Sequence, residues 1–206
     1  PKEPNRKRWG NFTDLKWLFE YVKDLGFNAL LVLPLTESVK DSPYAQVRPY
    51  ILDPQHIDWD KVIYPGKMPQ EKFNFFKQNK SEDAYVKYLD FKQRRFIQEY
   101  AEFRAIKNLK ENFFDLSEGQ IKDTEEYRTT FELFIFEQYF ARRQLEEAID
   151  YAHNLGLFVC YTQPFFRAIG GVDVKLYCEL FSSGKGPYRK EVDGREVDCP
   201  YYQVAE

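Results

Sequence analysis

The sequence is poor in the residues that build metal and redox sites. It has only three cysteines, two histidines and one methionine in 206 residues. Cys160, Cys178 and Cys199 leave an odd count and show no CxxC spacing. We therefore predict free thiols in a cytoplasmic protein, with no metal site and no cofactor.

Several other features that would assign a function are also missing. No apolar run approaches the roughly 18 residues needed to cross a bilayer, and no signal peptide is visible. The phosphate-binding patterns GxGxxG and GxxxxGK[ST] do not occur, nor do GxSxG and HExxH. The net charge is only -3, from 30 basic and 33 acidic residues, so no broad positive field attracts a polyanion. These absences argue against a nucleic acid or a membrane as the partner.

Aromatic residues, in contrast, are abundant. They make up 18% of the chain, with 19 Phe and 15 Tyr, and hydrophobic residues make up 43%. This composition predicts a folded protein whose interior is dominated by packed rings.

Two segments share the order amphipathic helix, glycine, short apolar strand. The first is "NFTDLKWLFEYVKDLG", which ends at Gly26 and is followed by "FNALLVLPL". The second is "TEEYRTTFELFIFEQYFARRQLEEAIDYAHNLG", which ends at Gly156 and is followed by "LFVCYTQP". Strands that are apolar without alternation are typical of a parallel sheet covered by helices. The pattern predicts an α/β fold.

The segment between these modules has a helical period and is rich in aromatic residues. A helical insertion between two strand units favours a barrel-type α/β fold over a compact doubly wound sheet. We predict three parts: 1–64 with the first barrel strands and helices and a substrate loop, 65–122 as the helical insertion, and 123–206 as a helix–strand unit with its following loop. The last part, from "SSGKGPYRKEV" onward, shows no clear period and is predicted to be loop or edge structure.

The loop after the first strand is the clearest candidate for a ligand-binding segment. A parallel α/β fold binds ligands beyond the carboxyl ends of its strands, which is where Asp41 and Asp173 are expected. Two carboxylates near a sugar could serve as general acid and nucleophile. His56 could donate a hydrogen bond to a ligand, and packing is its alternative role. From the residues alone, the loop is either a connection or a ligand-facing surface.

The order of several motifs resembles the N-terminal part of the amylomaltases, the 4-alpha-glucanotransferase family. The motifs are "LPL" at Leu33–Leu35, "DSPY" at Asp41–Tyr44, "LDPQHID" at Leu52–Asp58, "EYAEFRAIK" at Glu99–Lys107, Pro164 after the second strand, and "GGVDVKLYCELF" at Gly170–Phe181. Each motif alone is weak, but together they occur in the family's order along most of the chain.

The resemblance implies a partial (β/α)8 TIM-type barrel with an inserted helical subdomain. It also implies an α-1,4-glucan or maltooligosaccharide as substrate, transferred by retaining double displacement. Tyr44 would stack on the sugar, and Asp41, Ser42, His56 and Asp173 would help to bind it. No catalytic residue is assigned, because the family's catalytic acids lie beyond this chain. We therefore expect this part alone to be inactive and the remainder of the catalytic barrel to be its partner.

The sequence also departs from the family at positions expected to face the site. Thr162 replaces an aspartate, Asp53 an asparagine and Lys175 a tryptophan, and the segment after Phe181 lacks "GQxWGNP". These departures favour an alternative, a non-catalytic carbohydrate-binding or scaffold descendant of the family. A third possibility is an α-helical interaction protein that resembles the family by chance.

Overall fold

The computed structural model describes residues 10–39, 43–79, 83–164, 167–168, 170–177, 180–182, 190–192, 195–197 and 201–204. The chain is mixed α/β and mostly helical, and it divides into two compact units. Unit 1 takes the residues up to Leu30 and Pro54–Val159, and unit 2 takes Leu31–Asp53 and the residues from Cys160 onward. The division at residues 64 and 122 remains a prediction.

Helices form most of unit 1. They are α1 (Asp14–Asp24), α2 (Pro69–Gln78), α3 (Asp83–Lys92), α4 (Arg95–Lys110), α5 (Glu118–Lys122) and α6 (Glu125–Asn154). Two short 3-10 turns, Pro54–His56 and Trp59–Lys61, precede α2. None of the helices in the described ranges is long and apolar enough to cross a membrane.

The two helix–glycine–strand modules fold as their patterns predict. Helices α1 and α6 are followed by Gly26 at φ 86° and Gly156 at φ 71°. These positive φ values suit glycine, which ends a helix without the steric cost of a side chain. Strands β1 (Ala29–Val32) and β2 (Phe158–Tyr161) then begin within a few residues.

Rings and small side chains build the interior of unit 1. The buried Phe76 ring lies within 6.5 Å, centroid to centroid, of six other rings. Between α1 and α6, buried Phe19 packs against Ala148 and Ala152, whose small side chains let the helices approach. The predicted aromatic interior is therefore confirmed for this unit.

Strands β1 and β2 form a two-stranded sheet. The Phe158 N–H donates to the Asn28 carbonyl at 2.8 Å, and the Thr162 N–H donates to the Val32 carbonyl at 3.1 Å. Because both residue numbers rise by four, the strands are parallel. The pattern predicted a strand covered on both faces, but Leu31 is 68% exposed. No described element covers that face of β1, so the partial barrel stays a proposal.

Unit 2 contains short antiparallel strands and one short helix. Strand β3 (Arg167–Ala168) is followed by α7 (Val172–Leu176), β4 (Phe181–Ser182), β5 (Lys190–Val192), β6 (Arg195–Val197) and β7 (Tyr201–Val204). β7 pairs with both β3 and β4, and β5 pairs with β6. The segment predicted as loop or edge structure thus includes the short strands β5, β6 and β7 and the last residue of β4.

Candidate functional site

The loop that follows β1 is itself folded. Its two arms meet at antiparallel bridges between Thr36 and Leu52 and between Ser38 and Gln46. The Val47 N–H donates to the Glu37 carbonyl at 2.7 Å, which continues the pairing. The described arms of the loop are therefore paired with each other along most of their length.

Gln46 fixes this loop to the segment that follows β2. Its side chain is fully buried, and its Nε2 donates to the Pro164 carbonyl at 3.4 Å. Gln163 Nε2 in turn donates to Gln46 Oε1 at 3.4 Å. A buried amide needs such partners, since leaving it unsatisfied costs about 1–3 kcal/mol. The two segments after the two parallel strands are thus joined within unit 2.

An ion-pair cluster centred on Asp173 fixes the same loop from another side. Asp173 lies in the first turn of α7, and its Oδ1 is 2.9 Å from Arg48 Nε. Its Oδ2 is 3.6 Å from Arg167 Nε. The side chains of Arg48 and Asp173 are only 11% and 15% exposed, so removing one partner leaves a poorly solvated charge on the other. Asp173 therefore holds Arg48 and the loop that carries it.

Gly171 allows this close approach of α7 to the loop. The Val172 N–H donates to the Val47 carbonyl at 2.9 Å. A Cβ on Gly171 would lie 2.7 Å from that carbonyl oxygen and 3.0 Å from the Ala168 carbonyl oxygen. Only glycine fits between these backbone groups without a shift of the chain.

Two tyrosine rings are exposed on the loop. Tyr44, which lies at its tip, is 42% exposed, and Tyr50, which lies on its returning arm, is 66% exposed. Tyr50 also adopts φ 65°, which is uncommon for a residue with a Cβ and a bulky ring. Backbone strain of this kind is concentrated at binding and catalytic sites. The loop thus offers two aromatic surfaces to solvent on a firmly held backbone.

The predicted site residues divide between the two units. Tyr44 and Asp173 lie in unit 2, where Asp173 contacts the loop that carries Tyr44. His56 lies in unit 1, where its Nδ1 is 2.8 Å from the Gly10 carbonyl oxygen and its ring meets Phe12 edge-on. Asp41 and Ser42 lie outside the described residues.

Four residues of this arrangement were not predicted from the sequence: Gln46, Arg48, Tyr50 and Arg167. The stretch "YAQVRPY" alternates apolar and polar residues, which is typical of a paired segment, but nothing in it identifies a partner. No group of three or more His, Cys, Asp or Glu side chains in the described ranges could hold a metal ion.

Comparison with known proteins identifies the family. A model of the 4-alpha-glucanotransferase family matches residues 63–186, more than half of the chain. The chain belongs to this family. The resemblance inferred from the motifs is therefore confirmed. The matched part includes Arg167 and Asp173 but begins after Tyr44 and the rest of the loop.

Solved structures of this family share the fold. The chain is similar to an amylomaltase from Streptococcus agalactiae in complex with acarbose, with a TM-score of 0.69 and 18% identity over 85% of this chain and 44% of that chain. It is also similar to an amylomaltase from Corynebacterium glutamicum, with a TM-score of 0.67 and 16% identity over 95% of this chain and 33% of that chain. A search of curated proteins gave no match.

The chain spans less than half the length of these two amylomaltases. At these identities the likeness shows a shared fold, and it does not transfer a role to any single residue. The family match and the geometry of the loop are therefore separate observations. The first gives the class of protein, and the second describes a paired loop that exposes two tyrosine rings.

Proposed function

We propose that this chain is the N-terminal portion of a 4-alpha-glucanotransferase that acts on maltooligosaccharides and α-1,4-glucans. The family match over residues 63–186 carries this proposal. The full enzyme would transfer a glycosyl group in two displacements. A carboxylate attacks the anomeric carbon while an acid protonates the leaving oxygen, and a sugar hydroxyl then takes the place of water as acceptor.

This chain contributes to glucan binding and leaves bond cleavage to residues beyond it. Tyr44 would stack on a glucose ring, because an exposed aromatic face packs well against the apolar C–H face of a sugar. Asp173 acts as a positioning residue, since its two oxygens lie against Arg48 and Arg167. Asp41 and Ser42, on the same loop as Tyr44, are proposed as further substrate-binding residues. His56, whose Nδ1 lies 2.8 Å from the Gly10 carbonyl oxygen, is proposed to donate a hydrogen bond to the substrate.

The exposed face of β1 supports the proposed partial (β/α)8 barrel. Ala29 and Leu31 are two residues apart in β1, so they point to the same side, and both are exposed. A parallel strand with apolar residues on an uncovered face is suited to a larger barrel, where further strands and side chains fill the interior. The remainder of the barrel is therefore the proposed partner of this chain.

The test uses the full-length gene product with maltotriose. We expect glucose together with longer maltooligosaccharides, whereas the 206-residue chain alone gives neither. Turnover by the short chain would contradict the proposed position of the catalytic acids. A full-length protein that forms no transfer product would contradict the transferase assignment.

Tyr44 variants test the stacking role within that enzyme. Tyr44→Ala removes the ring, and a contact of about 1–1.5 kcal/mol corresponds to a roughly tenfold lower kcat/KM. Tyr44→Phe keeps the ring and should stay within about twofold of the wild type. Equal losses in both variants would assign the effect to the hydroxyl and refute stacking.

The alternative function is a non-catalytic carbohydrate-binding or scaffold protein. Thr162 and Lys175 favour it, because they replace an aspartate and a tryptophan that the family pattern has there. This alternative predicts that the full-length protein binds maltoheptaose but yields no new oligosaccharide. Calorimetric binding beside a negative transfer assay would select it over the enzyme.

A further inference from the structure

Unit 1 contains a cleft of about 730 Å³ that the glucan-binding loop does not form. Its wall combines the start of α1, the segment after the Trp59–Lys61 turn, the start of α3 and one face of α6. This volume lies within the range of about 300–1,000 Å³ that is usual for small-molecule sites. The cleft is therefore large enough for a ligand of one or two sugar rings.

The described lining of the cleft is positively charged. Lys16, Lys61 and Arg143 face it, together with a single carboxylate, that of Glu147. The Glu147 carboxylate is 3.6 Å from one guanidinium nitrogen of Arg143, which leaves the other N–H groups of this guanidinium able to donate to a ligand. Lys16 and Lys61 form no ion pair with any residue in the described ranges. Lys16 Nζ lies 5.9 Å from the centre of the Tyr151 ring, and within the described ranges neither lysine faces a carboxylate at ion-pair distance. Both ammonium groups are therefore available to an anionic ligand.

The walls that carry these charges are firmly held. Gln144 accepts from the Asp58 N–H at 2.8 Å and donates to the Asp58 carbonyl at 2.9 Å, which fixes the segment before Lys61 to α6. The buried Lys72 donates to the carbonyls of Val62 and Tyr64, both at 2.8 Å. The cations therefore project from a preorganised backbone, which lowers the entropic cost of binding.

The remaining surface of the cleft favours a sugar over a nucleobase. Tyr64 and Phe140 are only 4% and 6% exposed, so neither ring has an open face on which a base could stack. The Thr13 hydroxyl lies within hydrogen-bond distance of Asn11 Oδ1 and Asp58 Oδ2, and its single hydrogen can be donated to one of them at a time. Its oxygen still has acceptor capacity for a ligand hydroxyl. Arg143 can donate to a phosphate oxygen, and its guanidinium lies against the rings of Tyr139 and Phe140.

We propose that this cleft binds a phosphorylated hexose. The phosphate would lie between Lys16, Lys61 and Arg143, and the sugar hydroxyls would face Thr13 and the backbone of the cleft wall. This site is independent of glucan transfer and can be tested by binding alone. A negative transferase assay would therefore not contradict the sugar-phosphate site. A lack of sugar-phosphate binding would likewise not contradict the transferase assignment.

The experiment is calorimetric titration of the protein with glucose 1-phosphate, glucose 6-phosphate, glucose and inorganic phosphate. We expect one of the esters to bind with a Kd of about 1 mM or tighter. Glucose should not bind detectably, and inorganic phosphate should bind more weakly than the ester. Raising the ionic strength from about 0.05 M to 0.5 M should weaken binding severalfold, since the lysines are solvent-accessible.

Charge variants give the decisive comparison. Lys61→Gln and Lys16→Gln should each weaken ester binding by about three- to tenfold, and Glu147→Gln should tighten it a few-fold. Lys107→Gln on α4, an exposed lysine that does not line the cleft, should change nothing. Only an electrostatic site predicts opposite effects from the lysine and glutamate variants.

Three results would overturn the proposal. They are no saturable binding of either ester up to about 10 mM, unchanged affinity in both lysine variants, or inorganic phosphate binding as tightly as the ester. Either of the first two results would show that the cleft is not a binding site for these esters. The third would show that the cleft recognises phosphate and not the sugar.

Discussion

Each of the two units is stabilised internally by a different kind of contact. Unit 1 is a set of helices around packed rings, in which Phe76 and Phe136 each lie against several aromatic neighbours. Unit 2 is built from short strands and a long loop that polar and ionic contacts fix, through Gln46 and Arg48. Ring packing depends on volume, whereas hydrogen bonds and ion pairs depend on direction and charge. The units should therefore fail under different substitutions.

The largest expected effect comes from the aromatic core of unit 1. Phe76→Ala removes a fully buried ring with six ring neighbours, which should destabilise the protein by about 3–5 kcal/mol. Phe114→Ala, at an exposed ring, should stay within about 0.5 kcal/mol of the wild type. Urea denaturation followed by circular dichroism measures both. A small loss for Phe76→Ala would show that the core is loosely packed.

The second prediction concerns the ion pair between Asp173 and Arg48 in unit 2. Asp173→Asn removes a carboxylate from beside the poorly solvated guanidinium of Arg48, which should cost about 2–4 kcal/mol. The matched control in unit 1 is Asp90→Asn, which breaks an exposed pair with Arg94 and should cost less than about 0.5 kcal/mol. Equal losses at the two positions would contradict the contrast between buried and exposed ion pairs.

The same contrast explains which parts of the molecule the sequence could predict. The spacing of hydrophobic residues and the glycines at the helix ends predicted α1, β1, α6 and β2, because both signals lie within the segments themselves. The contact between Gln46 and Pro164 joins residues 118 positions apart, and no local pattern records such a pairing. The exposed face of β1 was missed for a related reason. An apolar strand predicts burial, but burial also requires a covering element that the strand's own residues do not specify.

The candidate site was predictable to the same limited extent. The proline-marked loop and Tyr44 were identified, since prolines and an aromatic ring after a strand end are visible in the sequence. The role of Asp173 as a ligand contact stays a prediction. Its ion pairs with Arg48 and Arg167 depend on how α7 packs against the loop, which the sequence does not reveal.

A smaller effect, of opposite sign in the two units, comes from adding one methyl group. Gly171→Ala in unit 2 places a Cβ 2.7 Å from the Val47 carbonyl oxygen and should destabilise by about 1–3 kcal/mol. Gly119→Ala in α5 of unit 1 meets no atom closer than 4.0 Å and should stabilise by up to about 1 kcal/mol. Thermal melting of the two variants gives the sign directly. An unchanged or raised melting temperature for Gly171→Ala would refute the close approach at Gly171, and a lowered one for Gly119→Ala would refute the open space at Gly119.

The smallest effect is a pH dependence at the start of α2. The N–H groups of Met68 and Lys67 donate to Glu71 Oε2 at 3.1 and 2.7 Å, and they lower the pKa of this carboxyl below its usual value of 4.5. A lowered folded-state pKa stabilises the protein above pH 4.5, and this contribution is lost as the pH falls through the folded value. Glu71→Gln should therefore be less stable than the wild type at neutral pH, and the gap should close in acid. Urea denaturation of the variant and the wild type at a series of pH values measures this gap. A stability gap that persists in acid would mean that Glu71 supports the helix through the shape of its side chain. The charge at this exposed helix start would then contribute less to unit 1 than the ion pairs of Asp173 contribute to unit 2.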